Sequence, residues 1–391
     1  MKRIKIRLEN SEPLCLRSNR ADDTIMTQDY IPGNTLLGAL AARYLREKPN
    51  DDAFHDHFTR DKIYFTNLYP AGQIAVDSDI VPEPYPGTAQ VCKRWEFEHP
   101  VRDTLFDWGA YAESVALDKE QALLLEQQQW CPHCCTNKER MRPLSGFYQS
   151  GHEKPEINIK KGLHTHTGIN RYTQTVSEGI LFNYEAIEEK YCFEGIIIIK
   201  DNFPENAIQP FLNWLDKLDV HVGSRKTSGM GQSSIFVLEL PELTIADFQK
   251  RLIRFDADYK NYRVKYLETA AADNSHYFSI DLLSAAIKLD DFLNYIVGFD
   301  NLPEEAGLVQ TELIYERVTP VEIRGWNACV NLPRQIEIGI EKGSTALFKS
   351  RMEQEALINV LYKLENEGIG IRKAEGFGRI AVSHAFHYQN R

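Results

Sequence analysis

The sequence predicts an α+β fold of two tandem ferredoxin-like units, each in the split order βαββαβ, with a long insertion in the first. Three observations predict it. Apolar patterns of strand and helix period alternate in the first half as strand, helix, strand, strand, helix, strand. The second half repeats the theme more loosely. Each half closes with a helix, a Gly-rich loop and a strand, as an internal duplication would. A chain of 391 residues is long enough for two or three domains.

Lys2 to Leu8 sets Ile4, Ile6 and Leu8 against Lys and Arg, the period of a half-buried strand. Pro32-Gly33 breaks the chain, and Leu36, Leu37, Leu40, Ala41, Tyr44 and Leu45 then share a helical face. Lys62 to Asn67 is a short strand. Glu194 to Lys200 is apolar enough to be a strand covered on both faces. Pro204 opens a helix through Ile208, Phe211, Leu212, Leu215 and Leu218. The Gly-rich loop 223–231 leads into the strand Ser234–Leu240. The N-terminal domain therefore spans 1–245, with an insertion of about 68–192. In the C-terminal domain, 246–391, the expectations are a strand at Tyr277–Leu282, a helix at Leu283–Val297, and strands near Leu313–Val318 and Ile336–Ile340. A helix at Met352–Glu367, a Gly-rich loop at 374–378 and a last strand at Arg379–Ser383 follow.

Hydrophobic residues make up 43% and aromatics 11%, which excludes global disorder. The longest aliphatic run, Ile196–Ile199, is far short of the roughly 20 residues that span a bilayer. Met1 to Arg7 alternates charge and Ile, unlike a signal peptide. An odd count of seven cysteines then suits a reducing, cytoplasmic setting. The net charge of −11 argues against a free, sequence-blind nucleic-acid binder. The charge is uneven, however. Thr136–Thr175 carries seven basic and three acidic residues, whereas Asp256–Pro320 carries twelve acidic and five basic ones. The first suits a polyanion-facing region and the second a protein-facing one.

Three motifs carry chemistry. Cys131 and Cys134 form a Cys-x-x-Cys knuckle, which presents two thiolates to one tetrahedral Zn²⁺. Cys92 is the first choice for a further ligand and Cys135 the next, followed by His133 and His152. The expected role is structural. In the second motif, Gly223, Gly229 and Gly231 permit positive φ and close backbone approach. The loop amides form an anion-binding concavity, and Ser224, Arg225 and Lys226 suit phosphate. In the third motif, His164 and His166 fall on one face of a strand that runs on to Asn170, Arg171 and Tyr172. Paired histidines suit RNA contact, metal binding or acid–base cleavage. Tyr172, Phe147, Tyr148 and Trp326 are candidate stacking platforms for bases.

Taken together, these segments resemble the RAMP superfamily of CRISPR-associated proteins, whose units are RRM-like. Tyr30-Ile31-Pro32-Gly33-Asn34-Thr35-Leu36-Leu37-Gly38-Ala39-Leu40 looks like the family's (Y/F)IPGSSLKGAL segment, departing at Asn34, Thr35 and Leu37. Ile169, Asn170, Arg171, Thr173, Gly179, Leu181 and Phe182 fit its IDRxTGxAxxGxLF stretch, with Asn170 in place of Asp and Gln174 in place of Gly. Gly223–Gly231 resembles the Gly-rich loop. Leu332-Pro333, Gly343-Ser344 and Gly376-Phe377-Gly378 resemble the LP…GS…GFG pattern of two-domain members.

Two such units, a cysteine-rich insertion and this length look most like the type III-D subunit of the Cas-five-like group. That resemblance implies a non-catalytic, RNA-binding subunit of an antiviral effector complex. It would grip the 5′ repeat-derived tag of the CRISPR RNA beside the large Cas-ten-type subunit and the backbone RAMP subunits, and meet target RNA only indirectly. Gly376 and Gly378 join the RNA-binding candidates on this basis. Two further readings stay open. One is a metal-independent endoribonuclease that processes precursor CRISPR RNA, using His164, His166 and His221. The other is a backbone subunit that cleaves target RNA, for which Glu178 is the only acidic residue between Glu156 and Glu185.

Overall fold

The alternation of Lys2–Asn10 makes it a central strand, because Ile6 and Leu8 have helices to pack against on one face. The computed structural model describes residues 1–21, 24–72, 80–115, 130–134, 138–149, 157–170, 172–241, 243–264, 274–327, 330 and 332–390. They divide into two units of mixed α and β structure. One comprises 1–83, 147–242 and 374–376; the other comprises 84–146, 243–373 and 377–391.

In the first unit the sheet runs Leu218–His221, Gln232–Leu238, Lys2–Asn10, Cys192–Ile199, Ile63–Phe65, every neighbour antiparallel. The register sets Ile4 against Ile197 and Leu8 against Phe193 and Ile235. Helices Gly33–Glu47 and Glu205–Leu215 contribute Leu36, Leu40, Phe211 and Leu215 to the same core. The opposite face departs from the expectation of a half-buried strand. Lys5 and Arg7 are buried with Glu194, at 2.8 and 2.9 Å from its carboxylate, and the Lys5 ammonium also donates to Ile80 O. One carboxylate between two cations makes that burial tolerable. A second sheet in this unit joins the hairpin Lys161–Ile169/Val176–Ile187 to Thr24–Thr27 and Arg17–Ala21.

In the second unit the sheet runs Thr311–Arg317, Thr345–Ser350, His276–Leu282, Ile380–Val382. Ranked by position in the chain, these are the second, third, first and fourth strands. Without its Leu218–His221 edge and the short strand Tyr69–Gly72, which also pairs with Cys192–Ile199, the first unit's sheet has the same arrangement read from the other end. Helix Gln354–Glu367 precedes the last strand as expected. The helix expected at Leu283–Val297 is absent. That stretch holds the short strands Lys288–Leu289 and Tyr295–Ile296. The Asp290 carboxylate accepts from the Phe292 and Asn294 backbone N–H groups, which draws the chain into a turn. A 20-residue helix, Ile245–Val264, lies instead across the expected domain junction, burying Phe248, Leu252, Phe255 and Tyr259.

Residues 84–146, which the sequence places within the first domain's insertion, cluster with the second unit. Buried side chains account for it. Asp103 lies 3.0 Å from His387, whose other ring nitrogen lies 2.8 Å from Asp281, and Glu113 takes two hydrogen bonds from Arg263. Burial disfavours the charge on His387, but the Asp281 and Asp103 carboxylates more than reverse that and raise it to about 10. Among the described residues, no helix is long and apolar enough to cross a membrane.

Candidate functional site

In the first unit the Gly-rich loop turns on four left-handed residues, Gly223 (φ 88°), Arg225 (62°), Gly229 (72°) and Gly231 (93°). Two of the glycines are sterically required. A Cβ on Gly223 would lie 2.6 Å from Cys15 O, and one on Gly231 would lie 2.4 Å from Val222 O. Gly229 has open space around it. Ser224 is spent on structure, donating from N and Oγ to Cys15 O at 2.9 and 3.1 Å.

The turn aims Arg225 at the long hairpin. Its guanidinium lies 5.0 Å from the Phe182 ring centre and 5.2 Å from that of Tyr184. Strand alternation puts His164 and His166 on the half-buried face of Lys161–Ile169, as expected, with Leu163, Thr165 and Thr167 outward. His164 stacks on Tyr184 at 5.5 Å and His166 at 4.7 Å, and the Tyr184 hydroxyl hydrogen-bonds His166 Nε2. The loop and the histidines thus meet through Phe182 and Tyr184, which the sequence did not single out as contacts. At the hairpin tip, Asn170 Oδ1 accepts from the Tyr172 and Thr173 N–H groups at 2.9 and 3.4 Å, and Tyr172 is 98% exposed. Asn170 shapes this turn, and Tyr172 is left free to stack. Arg171 lies outside the described residues, as do the side chains of 177–181, Glu178 among them.

Beyond the loop, Arg43, Arg46, His221, Lys226 and Asp219 line a cleft of about 220 Å³. Arg43 pairs with Glu47 at 2.6 Å. Lys226 and Arg46 have no ion-pair or hydrogen-bond partner among the described residues, and the Lys226 ammonium is pushed below its ordinary range by partial burial and then by Arg46. Excess positive charge of this kind suits an anion. Arg43 and Arg46 sit i, i+3 on the polar side of Gly33–Glu47, so their spacing was legible but their neighbour was not. His221 belongs to this cleft, whereas His164 and His166 belong to the hairpin.

In the second unit, Cys92, His99, Cys131 and Cys134 offer ligand atoms all within 4.8 Å of one another. The pairing of Ala89–Cys92 with Met141–Pro143 and the bond from Cys131 N to Glu139 O bring the two halves together. Cys92 Sγ lies 3.8 Å from Cys134 Sγ, and His99 Nδ1 lies 3.2 and 3.7 Å from the sulfurs of Cys131 and Cys134. Ligands at about 2.3 Å around a tetrahedral ion would be spaced about 3.8 Å apart, so the donor set fits a metal of that size. Burial works against the Cys92 thiolate, but the Trp95 and Arg94 backbone N–H groups and the Cys131 and Cys134 thiols outweigh it. Burial and the neighbouring Cys92 and Cys131 push the Cys134 thiol up to about 12. A cation at the centre would favour all three thiolates. Cys135 and His152, named as candidates, lie outside the described residues. The fourth donor in the cluster is His99, seven positions after Cys92.

Other expectations fare differently. Phe147 and Tyr148 are buried, with Phe147 stacked on Tyr69 at 4.8 Å, so neither is a platform for bases. Trp326 is 52% exposed. A Cβ on Gly376 would lie 2.8 Å from Phe65 O, and one on Gly378 would lie 1.8 Å from Ile369 O. Packing alone therefore accounts for both glycines.

A family model described as the RAMP superfamily matches residues 12–234. No curated protein matches by sequence. Among solved structures, the chain is similar to one in a type III-B Cmr-beta complex bound to cognate target RNA and AMPPnP, at 12% identity and TM-score 0.44, covering 93% of this chain and 90% of that one. It is also similar to a chain of a Csm3–Csm4 subcomplex of a type III-A interference complex, at 14% identity and TM-score 0.36, with 88% and 92% covered. A third is oligomeric Cmr4 from Pyrococcus furiosus, at 14% identity and TM-score 0.30, with 62% and 100% covered.

Proposed function

The chain belongs to the RAMP superfamily, and from that premise we propose that it is a non-catalytic RNA-binding subunit of a type III-D CRISPR effector complex. In this reading the first unit grips the 5′ repeat-derived tag of the CRISPR RNA. Each of the two units is a split-βαβ RAMP domain, and the Cys92–His99–Cys131–Cys134 cluster holds a structural zinc. The chain caps the complex beside the large subunit.

The observation that carries the proposal is the Gly-rich loop. Its left-handed turns hold Arg225 over Phe182 and Tyr184, while Lys226 and Arg46 line the cleft without anionic partners. Cations suit phosphate, and an exposed Tyr172 suits a base. Contacts of this kind recognise backbone, so affinity should depend on salt and little on tag sequence. Arg225→Ala with Lys226→Ala in the reconstituted complex should weaken tag-RNA binding. It should also flatten the slope of log affinity against log salt by about 1.4, at ~0.7 per phosphate contact on a single strand. Filter binding across a salt series measures both, and an unchanged slope removes the loop from the RNA path.

One observation favours the processing nuclease, namely the shared face of His164 and His166 with Tyr184 hydrogen-bonded to one of them. Repeat RNA incubated with the chain in EDTA separates the two readings. A 2′,3′-cyclic phosphate product supports the nuclease, and intact RNA supports the binding subunit.

A further inference from the structure

In the second unit the turn between Lys288–Leu289 and Tyr295–Ile296 turns its apolar residues outward. Phe292 is 85% exposed and Leu293 76%. The turn is held rigidly all the same. Asp290 N donates to Asn294 O and Leu293 N to Asp290 O, both at 3.0 Å. The Asp290 carboxylate accepts from Phe292 N at 2.9 Å, Asn294 N at 2.8 Å and Asn294 Nδ2 at 2.9 Å. Leu293 is held at φ 65°, a backbone conformation that side chains disfavour. The base is pinned as firmly. The fully buried Lys288 ammonium donates to Gly298 O at 3.2 Å and to Asn301 Oδ1, and it pairs with Glu305 at 3.5 Å.

Two adjacent large apolar side chains, presented on a preordered turn, resemble the anchor residues that fill pockets at protein interfaces. The charge of the segment that carries them indicates what kind of surface they meet. Between Lys288 and Glu305 the acidic residues are Asp290, Asp291, Asp300, Glu304 and Glu305, and the single basic residue, Lys288, is buried. A segment so charged repels phosphate, whether in RNA or in a lipid headgroup, and attracts lysine and arginine.

We propose that Phe292 and Leu293 dock into an apolar pocket rimmed by Lys and Arg on another protein subunit of the same effector complex. The proposal rests on reading the chain as such a subunit. Because the turn is already ordered, docking costs little conformational entropy, and most of the anchor burial goes into affinity.

The test uses the complex reconstituted from co-expressed type III subunits, with the photo-crosslinker p-benzoylphenylalanine at position 292. The expected result is one dominant crosslink, to an apolar peptide of one other subunit that carries Lys or Arg. Phe292→Ser with Leu293→Asn, residues that suit an exposed turn, should then weaken that subunit's retention by roughly thirtyfold. The melting temperature of the isolated chain should not fall, since Asn suits the left-handed position of Leu293, and its RNA retention should be unchanged. A dominant crosslink to RNA, or to a second copy of this chain, would overturn the proposal. So would full retention of every subunit by the double variant. If the wild-type chain assembles with no type III subunit, the functional reading fails first, and that result is distinct from a selective loss in the variant.

Discussion

His99 decides the most local question in the molecule, which residue completes the cysteine cluster. Its Nδ1 lies among the sulfurs of Cys131 and Cys134. Of the candidates the sequence offered beyond the knuckle, Cys92 is in the cluster and Cys135 lies outside the described residues. A ligand that comes from a separate loop carries no local signal in the sequence. The histidine arrives from a different loop, whose turn is set by Glu96 N donating to Cys92 O at 2.9 Å. Elemental analysis of the purified chain should find about one zinc per chain. Cys131→Ser with Cys134→Ser should lose it, and His99→Ala should bind it at least tenfold more weakly, while Cys135→Ser should retain it. Zinc lost from Cys135→Ser and kept in His99→Ala would reverse the assignment. The same limit explains Phe182 and Tyr184. Their place under Arg225 depends on a left-handed residue in a loop some forty positions away, and no local pattern announces it.

At the scale of elements, strands and helices with clean periods were legible. Lys2–Asn10, Gly33–Glu47, Cys192–Ile199, Glu205–Leu215 and Gln354–Glu367 appear close to where their apolar spacing put them. Errors fell where side chains compete with the backbone or where burial reverses polarity. Asp290 and Asn294 turned an expected helix into a hairpin, and the long helix Ile245–Val264 was passed over because charged residues fill its outer faces. Strand Thr345–Ser350 followed a Gly-Ser turn and was missed, although it lies between two neighbours in its sheet. The Gly-rich loop was legible as a loop but not glycine by glycine, and its three glycines separate into two kinds. Gly223→Ala and Gly231→Ala would drive a Cβ into backbone carbonyls at 2.6 and 2.4 Å, whereas Gly229→Ala meets nothing within 4 Å. Gly229→Ala should cost only the left-handed penalty, about 1–2 kcal/mol. The other two should cost more, since backbone must move. Urea unfolding of the three variants gives the order, and equal losses would show that the loop relaxes as a unit.

For the whole molecule, the account joins an acidic chain, net −11, to an RNA-binding role by separating its surfaces. The cationic cleft and the Arg225 stack belong to the first unit, and the acidic Phe292 turn belongs to the second. Composition alone pointed away from nucleic acid. The uneven distribution of charge along the sequence pointed back toward it, but which cations lack partners could be learned only from the fold. The central claim is that the first unit holds the 5′ tag through the Gly-rich loop and the hairpin. It is tested most directly by assembling the complex on CRISPR RNA with 4-thiouridine placed at single positions, irradiating it and mapping the crosslinked peptides. The account predicts crosslinks from tag positions to peptides containing 164–172 or 223–231, and none to those peptides from the 3′ end. Tag crosslinks confined to other subunits, with these two segments untouched, would contradict it.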